Sequence, residues 1–184
     1  MESATVKIAA AALLLLATSS AAFAQPEPTA TARTGVAGAV ERYANAIACS
    51  GVKVRPADVL MLTAGYPAAP MARYAVLWVG DMTCYGSGTE KTHIAIATQN
   101  SGQYLVQPEL SSPVVAFESP VKLVRRVVSH SAKNLVLEGM EYGPGDPQTA
   151  PSVPVRFILR LDSKGDWKLA DKVFLKNGAS DAQP

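Results

Sequence analysis

The segment that most constrains the fold of this chain spans residues 74–98. It consists of an apolar strand, a loop rich in Gly and Thr that contains Cys84, and a second apolar strand. The first strand is apolar on both of its alternating faces, with Tyr74, Val76 and Trp78 on one face and Ala75, Leu77 and Val79 on the other. We therefore predict a central pair of strands that is covered on both sides, with a long loop (residues 80–92) at its tip.

The chain contains two cysteines, Cys49 and Cys84. An even number of cysteines in an oxidising compartment favours a disulfide. The Cys-x-x-Cys spacing that is typical of redox-active pairs is absent from the sequence. We therefore predict a structural disulfide that joins Cys49 to the loop containing Cys84.

The first residues have the order of a secretory signal peptide. Lys7 precedes an apolar run at residues 8–17, and small residues follow up to Ala24. The apolar run is too short to span a bilayer, which takes about 20 apolar residues. We predict that residues 1–24 are a signal peptide cleaved near Ala24, and that the mature chain is a periplasmic or secreted bacterial protein without a stable membrane anchor.

The mature chain is nearly neutral. Removal of residues 1–24 takes away Glu2 and Lys7, so the formal net charge remains +2. Nucleic-acid binding usually requires a clustered basic face, and this balance gives no support for it. About 160 residues remain after cleavage, which is enough for one domain with its own core.

Composition and periodicity divide the mature chain into a leader, a domain and a tail. Residues 25–34 are rich in Pro, Thr and Ala, and we predict a flexible leader. In residues 35–48 apolar side chains recur at spacings of three and four, which predicts a helix: Val36, Val40, Tyr43, Ala44 and Ile47. We predict a single globular domain over residues 35–176 and a polar, frayed tail over residues 177–184.

The rest of the domain is divided by turn signals into short strands. Pro56 cannot donate to a central ladder, so it is expected at a strand start or a sheet edge, and the alternation slips at Arg125-Arg126, which predicts a bulge. In the last strand one face is expected to be buried (Trp167, Leu169, Val173 and Leu175) and the other wet (Lys168, Lys172 and Lys176). The predicted fold class is α+β, with one N-terminal helix packed on a curved antiparallel sheet of about seven strands. An all-β half-open barrel with a peripheral helix is the alternative.

No motif predicts a cofactor or a metal. The Gly-rich loop at residues 86–92 differs from a phosphate-binding loop, because Glu90 stands where Gly should precede the lysine and a strand follows instead of a helix. The two histidines, His93 and His130, have no Cys or carboxylate neighbours at the spacing of metal ligands.

A serine hydrolase is the enzymatic alternative. Ser87 would be its nucleophile, with His93 or His130 as base and Asp81 as the orienting group. The nucleophile-elbow motif requires Gly two residues before and after the serine, where this chain has Tyr85 and Thr89. We therefore assign no catalytic residue.

Three features are left unexplained by the core pattern: the loop at residues 80–92, the Arg125-Arg126 pair and the Gly- and Pro-rich loop at residues 143–151. Loops that project from a sheet commonly bind partners. The predicted binding surface consists of Asp81, Tyr85, Gly86, Ser87, Gly88, Thr89, Arg125, Arg126 and Asp146. The leading hypothesis is a non-enzymatic binding or inhibitor-like domain whose partner is an envelope protein or a cell-wall glycan. An accessory subunit of an envelope assembly is a further alternative.

Overall fold

The structure is a computed structural model that describes residues 27–64, 71–85, 88–147 and 149–176. The predicted signal peptide and the predicted tail lie outside the described residues. The described part of the chain contains no helix that is both long and apolar enough to cross a membrane.

One helix and two antiparallel sheets make up the described fold. The elements are α1 (Ala30–Ile47), β1 (Ser50–Thr63), β2 (Arg73–Asp81), β3 (Lys91–Asn100), β4 (Gln103–Val106), a 3₁₀ turn (Pro108–Leu110), β5 (Val124–His130), β6 (Asn134–Glu141), β7 (Val153–Leu161) and β8 (Trp167–Phe174). The first sheet has the order β1-β2-β3-β4 and the second the order β5-β6-β7-β8.

The α+β class fits this architecture. The prediction of about seven strands in one curved sheet is wrong, because an irregular crossover at residues 107–123 separates two four-stranded sheets.

Helix α1 begins five residues earlier than the apolar spacing predicts. Thr29 caps it, because its Oγ1 accepts a hydrogen bond from the backbone N–H of Ala32 at 3.2 Å. Residues 30–34 are therefore helical instead of forming part of a flexible leader. The helix ends at Ile47, so Cys49 follows its C-terminus as predicted.

The first sheet is the middle of three layers. Residues on one face of β2 and β3 pack against α1: Tyr74, Val76, Trp78, Ala95 and Ala97. Residues on the opposite face pack against the second sheet: Ala75, Leu77, Ile94 and Ile96. The prediction that β2 is central and covered on both sides is confirmed. The layer order is helix, sheet, sheet.

The crossover at residues 107–123 connects the two sheets along one side of the molecule. β4 ends at Val106, and the crossover then pairs with the rest of β3. Ser112 N–H donates to the carbonyl of Ile94 at 2.9 Å, and Thr92 N–H donates to that of Lys122 at 2.9 Å. The same segment reaches the second sheet, where Trp167 N–H donates to Ala116 O at 2.8 Å. This path brings Lys122 beside the tip of the β2–β3 hairpin.

Two irregularities of the strands were predicted correctly. Pro56 lies on β1, an edge strand, between the interrupted pairs Val54–Trp78 and Val59–Val76. At the arginine pair, Val124 lies opposite Gly139 and Arg126 lies opposite Glu138, so Arg125 is the extra residue of a bulge.

The face assignment for β8 is right for Trp167 and wrong for Leu169 and Val173. Ile158 lies opposite Asp171 and Leu159 lies opposite Leu169, so Ala170 is an extra residue and the strand changes face there. Val173 lies beyond the bulge and is 49% exposed, whereas Leu169 lies before it, on the face of the fully buried Trp167, and is 40% exposed at the sheet edge. The two-residue period of the sequence cannot reveal such a bulge, because it takes only one unpaired residue to exchange the faces.

Candidate functional site

The loop between β2 and β3 is tied to the end of α1. Cys49 and Cys84 form the predicted disulfide, with their Cα atoms 5.4 Å apart. The loop spans residues 82–90 and is shorter than the predicted 80–92, because Gly80 pairs with Lys91 and the ladder continues to the loop. The tip of the hairpin is therefore fixed at its first residues by a covalent bond.

Asp81 holds this loop from within. Its side chain accepts hydrogen bonds from the backbone N–H of Thr83 at 2.8 Å, from the Thr83 hydroxyl at 2.7 Å and from the backbone N–H of Cys84 at 3.1 Å. The residue is buried, which differs from its predicted place on an exposed surface. Its carboxylate serves as the acceptor for a turn that would otherwise leave backbone donors unpaired.

Replacement of Asp81 by Ala is expected to loosen the first half of the loop. Loss of a buried acceptor for several donors costs about 1–3 kcal/mol of unfolding free energy. Urea denaturation would measure that loss, and hydrogen exchange should become faster at the amides of Thr83 and Cys84. Asp171→Ala, on the exposed edge strand β8, serves as the control for loss of one carboxylate. Equal stability of Asp81→Ala and the wild type would contradict this role.

The second half of the loop is held by a different set of contacts. Gly88 N–H donates to the Glu90 carboxylate at 3.1 Å, and the Gly88 carbonyl accepts a hydrogen bond from Lys122 Nζ. Tyr85 projects outward and is 87% exposed. Gly86 and Ser87, two of the predicted site residues, lie outside the described residues. Lys122 thus links the hairpin tip to the crossover segment.

Two adjoining cavities lie beside this link, and together we call them the loop groove. The first cavity has a volume of about 370 Å³ and is lined by Thr83, Tyr85, Gly88, Thr89, Lys91, Lys122 and Tyr142. The second has a volume of about 330 Å³, and its lining includes Gly88, Glu90, Lys122, Leu123, Arg125, Met140, Tyr142, Thr149 and Pro151. Gly88, Lys122 and Tyr142 belong to both. The loop groove therefore brings together the hairpin tip, the crossover and the loop after β6.

The charge of the loop groove is mainly positive. Lys91, Lys122 and Arg125 line it, and none of them forms an ion pair with a carboxylate in the described part of the chain. Among the described residues of the lining, the one carboxylate belongs to Glu90, which accepts a hydrogen bond from the loop backbone at Gly88. An anionic group in the groove would therefore lie near cations that are not paired with a carboxylate of the described residues.

Arg126 differs from its neighbour Arg125. Its guanidinium pairs with Glu138 at 2.5 Å, and Arg156 pairs with the same carboxylate at 2.8 Å. The hydrogen bond from Arg126, helped by that from Arg156, lowers the pKa of Glu138. Arg126 lines a neighbouring depression with Glu138 and Pro154 instead of the loop groove. Of the predicted arginine pair, Arg125 is the groove residue.

Asp146 organises the loop after β6. Its carboxylate accepts hydrogen bonds from the backbone N–H of Gly143 at 2.7 Å and from the backbone and hydroxyl of Ser152 at 2.7 and 2.9 Å. These bonds, led by that from Gly143, lower the pKa of Asp146. Asp146 lies outside the lining of the loop groove, and it closes the loop that places Thr149 and Pro151 there.

The two histidines lie in separate environments. The His93 ring packs against Trp78 with centroids 4.7 Å apart, and its Nε2 lies 3.1 Å from the Gly80 carbonyl oxygen. Burial lowers the pKa of His93. His130 Nε2 lies 3.2 Å from the carbonyl oxygen of Met61 on β1. Because a carbonyl oxygen only accepts, each Nε2 carries its proton and donates.

The hydrolase constellation is not tested by the described residues, because Ser87 lies outside them. His93 lies opposite Trp78, whereas His130 contacts Met61, which lies opposite Tyr74. About 13 Å of strand separates those two positions of β2. Over the same described ranges, no group of three or more His, Cys, Asp or Glu residues is placed to hold a metal ion.

Much of the groove lining was not predicted from the sequence. The residues absent from the predicted surface include Lys91, Lys122, Leu123, Met140 and Tyr142. Tyr142 could have been predicted from the sequence, since it is an aromatic residue immediately before a Gly- and Pro-rich loop. Lys122 could not, because its position depends on the path of the crossover between the two sheets.

Comparisons of the chain with protein-family models, with curated proteins and with solved structures gave no significant match. Function is therefore inferred from the geometry of the loop groove.

Proposed function

We propose that this protein is an exported, non-enzymatic binding domain and that the loop groove contacts a ligand of the bacterial envelope. The observation that carries the proposal is the convergence of segments that lie far apart in sequence. The hairpin tip, the crossover and the loop after β6 line one groove, with Tyr85 and Tyr142 exposed beside it. Concave surfaces with aromatic and a few polar groups are the usual form of ligand sites.

The anchoring of each segment supports this proposal. The disulfide and Asp81 hold the start of the hairpin loop, Lys122 holds Gly88, and Asp146 holds the loop after β6. Loops that are fixed before binding lose less conformational entropy when a ligand arrives. The groove therefore has the properties of a site formed in advance.

Export is part of the same proposal. Cys49 and Cys84 are both exposed at the surface and form a disulfide. Exposed disulfides persist in the periplasm and outside the cell, whereas the cytosol keeps thiols reduced. This agrees with the order of charged, apolar and small residues in residues 1–24.

Sedimentation with insoluble bacterial envelope material tests the proposed function. The chain spanning residues 25–184 should sediment with this material, and Tyr85→Ala/Tyr142→Ala should weaken binding about tenfold, since truncation of exposed aromatic contacts often costs more than about 1 kcal/mol. Phe174→Ala removes an exposed ring from edge strand β8, outside the groove lining, and should bind like the wild type. The proposal fails if the wild type stays in solution, or if the double variant sediments as well as the wild type.

A further inference from the structure

We infer that the ligand of the loop groove is an acidic glycan, a chain of sugars that carry carboxylate groups. This inference rests on the proposed function and names the chemical class of the ligand. It follows from the spacing of the cations along the groove and from the kind of side chains that line its first cavity.

The cations are distributed along the groove. Lys91 lines the first cavity, Arg125 lines the second, and Lys122 lies where the two meet. Each cavity therefore offers its own cation and shares a third. A ligand with one small anionic group would use only part of this set, whereas a polymer with an anion on successive units would use all of it.

The cations at the two ends are available to a ligand. Neither Lys91 nor Arg125 pairs with a carboxylate over the described ranges of the chain. Lys122 donates to the Gly88 carbonyl, but an ammonium group has three donors. Its positive charge and its remaining donors are therefore still available to an anionic ligand.

The first cavity favours a sugar over a peptide. Its described lining contains the rings of Tyr85 and Tyr142, the hydroxyl-bearing residues Thr83 and Thr89, and no aliphatic Val, Leu, Ile or Met. Sugar rings present C–H faces that pack on aromatic rings and hydroxyls that exchange hydrogen bonds with polar side chains. Peptides are usually held by aliphatic pockets or by a free strand edge, and here β2 and β3 are paired with each other up to the loop.

Titration calorimetry with defined oligosaccharides tests the inference. The probes are oligogalacturonate and an alginate oligomer, each compared with its methyl ester, which has the same sugars without the charge. We expect at least one acidic oligomer to bind, its methyl ester to bind about tenfold more weakly, and the affinity to fall as NaCl rises from about 0.05 M to about 0.5 M.

The variants locate the binding to the groove. Lys91→Gln/Arg125→Gln should weaken binding of the acidic oligomer about tenfold and leave the thermal midpoint unchanged, because the described structure shows no ion pair for either side chain. Lys133→Gln, in the turn between β5 and β6 at the other end of the second sheet, removes one exposed cation and should have no effect. Tyr85→Leu should weaken binding of the sugar polymer.

The inference is overturned if neither acidic oligomer binds, or if a methyl ester binds as tightly as its acid. It is also overturned if polyglutamate binds as tightly as the acidic oligomers and the Tyr85→Leu substitution leaves the affinity for the oligomers unchanged. In each case sedimentation with envelope material shows whether the proposed function fails together with the inference. If the protein sediments and this depends on Tyr85 and Tyr142, the proposed function stands and the ligand is a different one. If sedimentation is absent or does not depend on these residues, the inference and the proposed function are both rejected.

Discussion

Replacing Cys49 and Cys84 by Ser is expected to lower the free energy of unfolding by about 2–4 kcal/mol, the usual range for a structural disulfide. The disulfide joins residues that are 35 positions apart in the chain. In the reduced protein the unfolded chain has more conformational freedom, and the hairpin loop loses its covalent link to the end of α1. Urea denaturation of the oxidised wild type and the double variant measures the difference.

The loss of the disulfide should also change the loop groove. Thr83 and Tyr85, on either side of Cys84, both line the first cavity. We expect the double variant to retain its sheets by circular dichroism and to sediment with envelope material less well than the wild type. Wild-type protein treated with a reductant is the matched control and should behave like the variant. An unchanged midpoint in urea for both would contradict the structural role of the disulfide.

Trp167→Ala is expected to cost about 3–5 kcal/mol, the range for removal of a large buried aromatic side chain. Trp167 is fully buried in the core between the two sheets. Its backbone also joins the crossover to β8, through bonds with Ala116 and Glu118. The substitution leaves a cavity where the crossover and both sheets meet. Urea denaturation gives the magnitude, provided that the variant folds.

Leu169→Ala is the comparison that tests the exposure of the middle of β8. The alternation of the sequence placed Leu169 and Trp167 on one buried face, but Leu169 is 40% exposed. We expect the Leu169 variant to lose less than about 1 kcal/mol, because little apolar surface leaves water at this position. A loss as large as that for Trp167→Ala would mean that both side chains lie in the core. It would contradict the exposed position of Leu169 on edge strand β8.

The parts of the fold that were predicted well depend on local sequence. The two apolar faces of β2 required a sheet covered on both sides, and the helical spacing from Val36 to Ile47 placed Cys49 at the end of α1. The number of sheets was beyond such reasoning, because the crossover at residues 107–123 contains no periodic pattern. Its hydrogen bonds to both β3 and β8 are set by tertiary packing.

The candidate site divides in the same way. Tyr85, Gly88, Thr89 and Arg125 were predicted from loop composition and from a break in alternation, and they line the groove. Asp81 and Asp146 were selected for the same reasons but accept hydrogen bonds from their own loops. Sequence alone does not distinguish an acidic residue that organises a loop from one that faces a ligand, since both occur in turns.

The most direct test of the central claim is a map of the ligand contact by NMR. Titration of isotopically labelled protein with the acidic oligosaccharides should shift the amide signals of the groove: Tyr85, Gly88, Lys91, Lys122, Arg125 and Tyr142. The signals of Lys133 and Asn134, at the other end of β6, should stay unchanged. Shifts confined to residues outside the groove would contradict the account. The absence of shifts in titrations with both the acidic oligosaccharides and envelope-derived glycan would also contradict it.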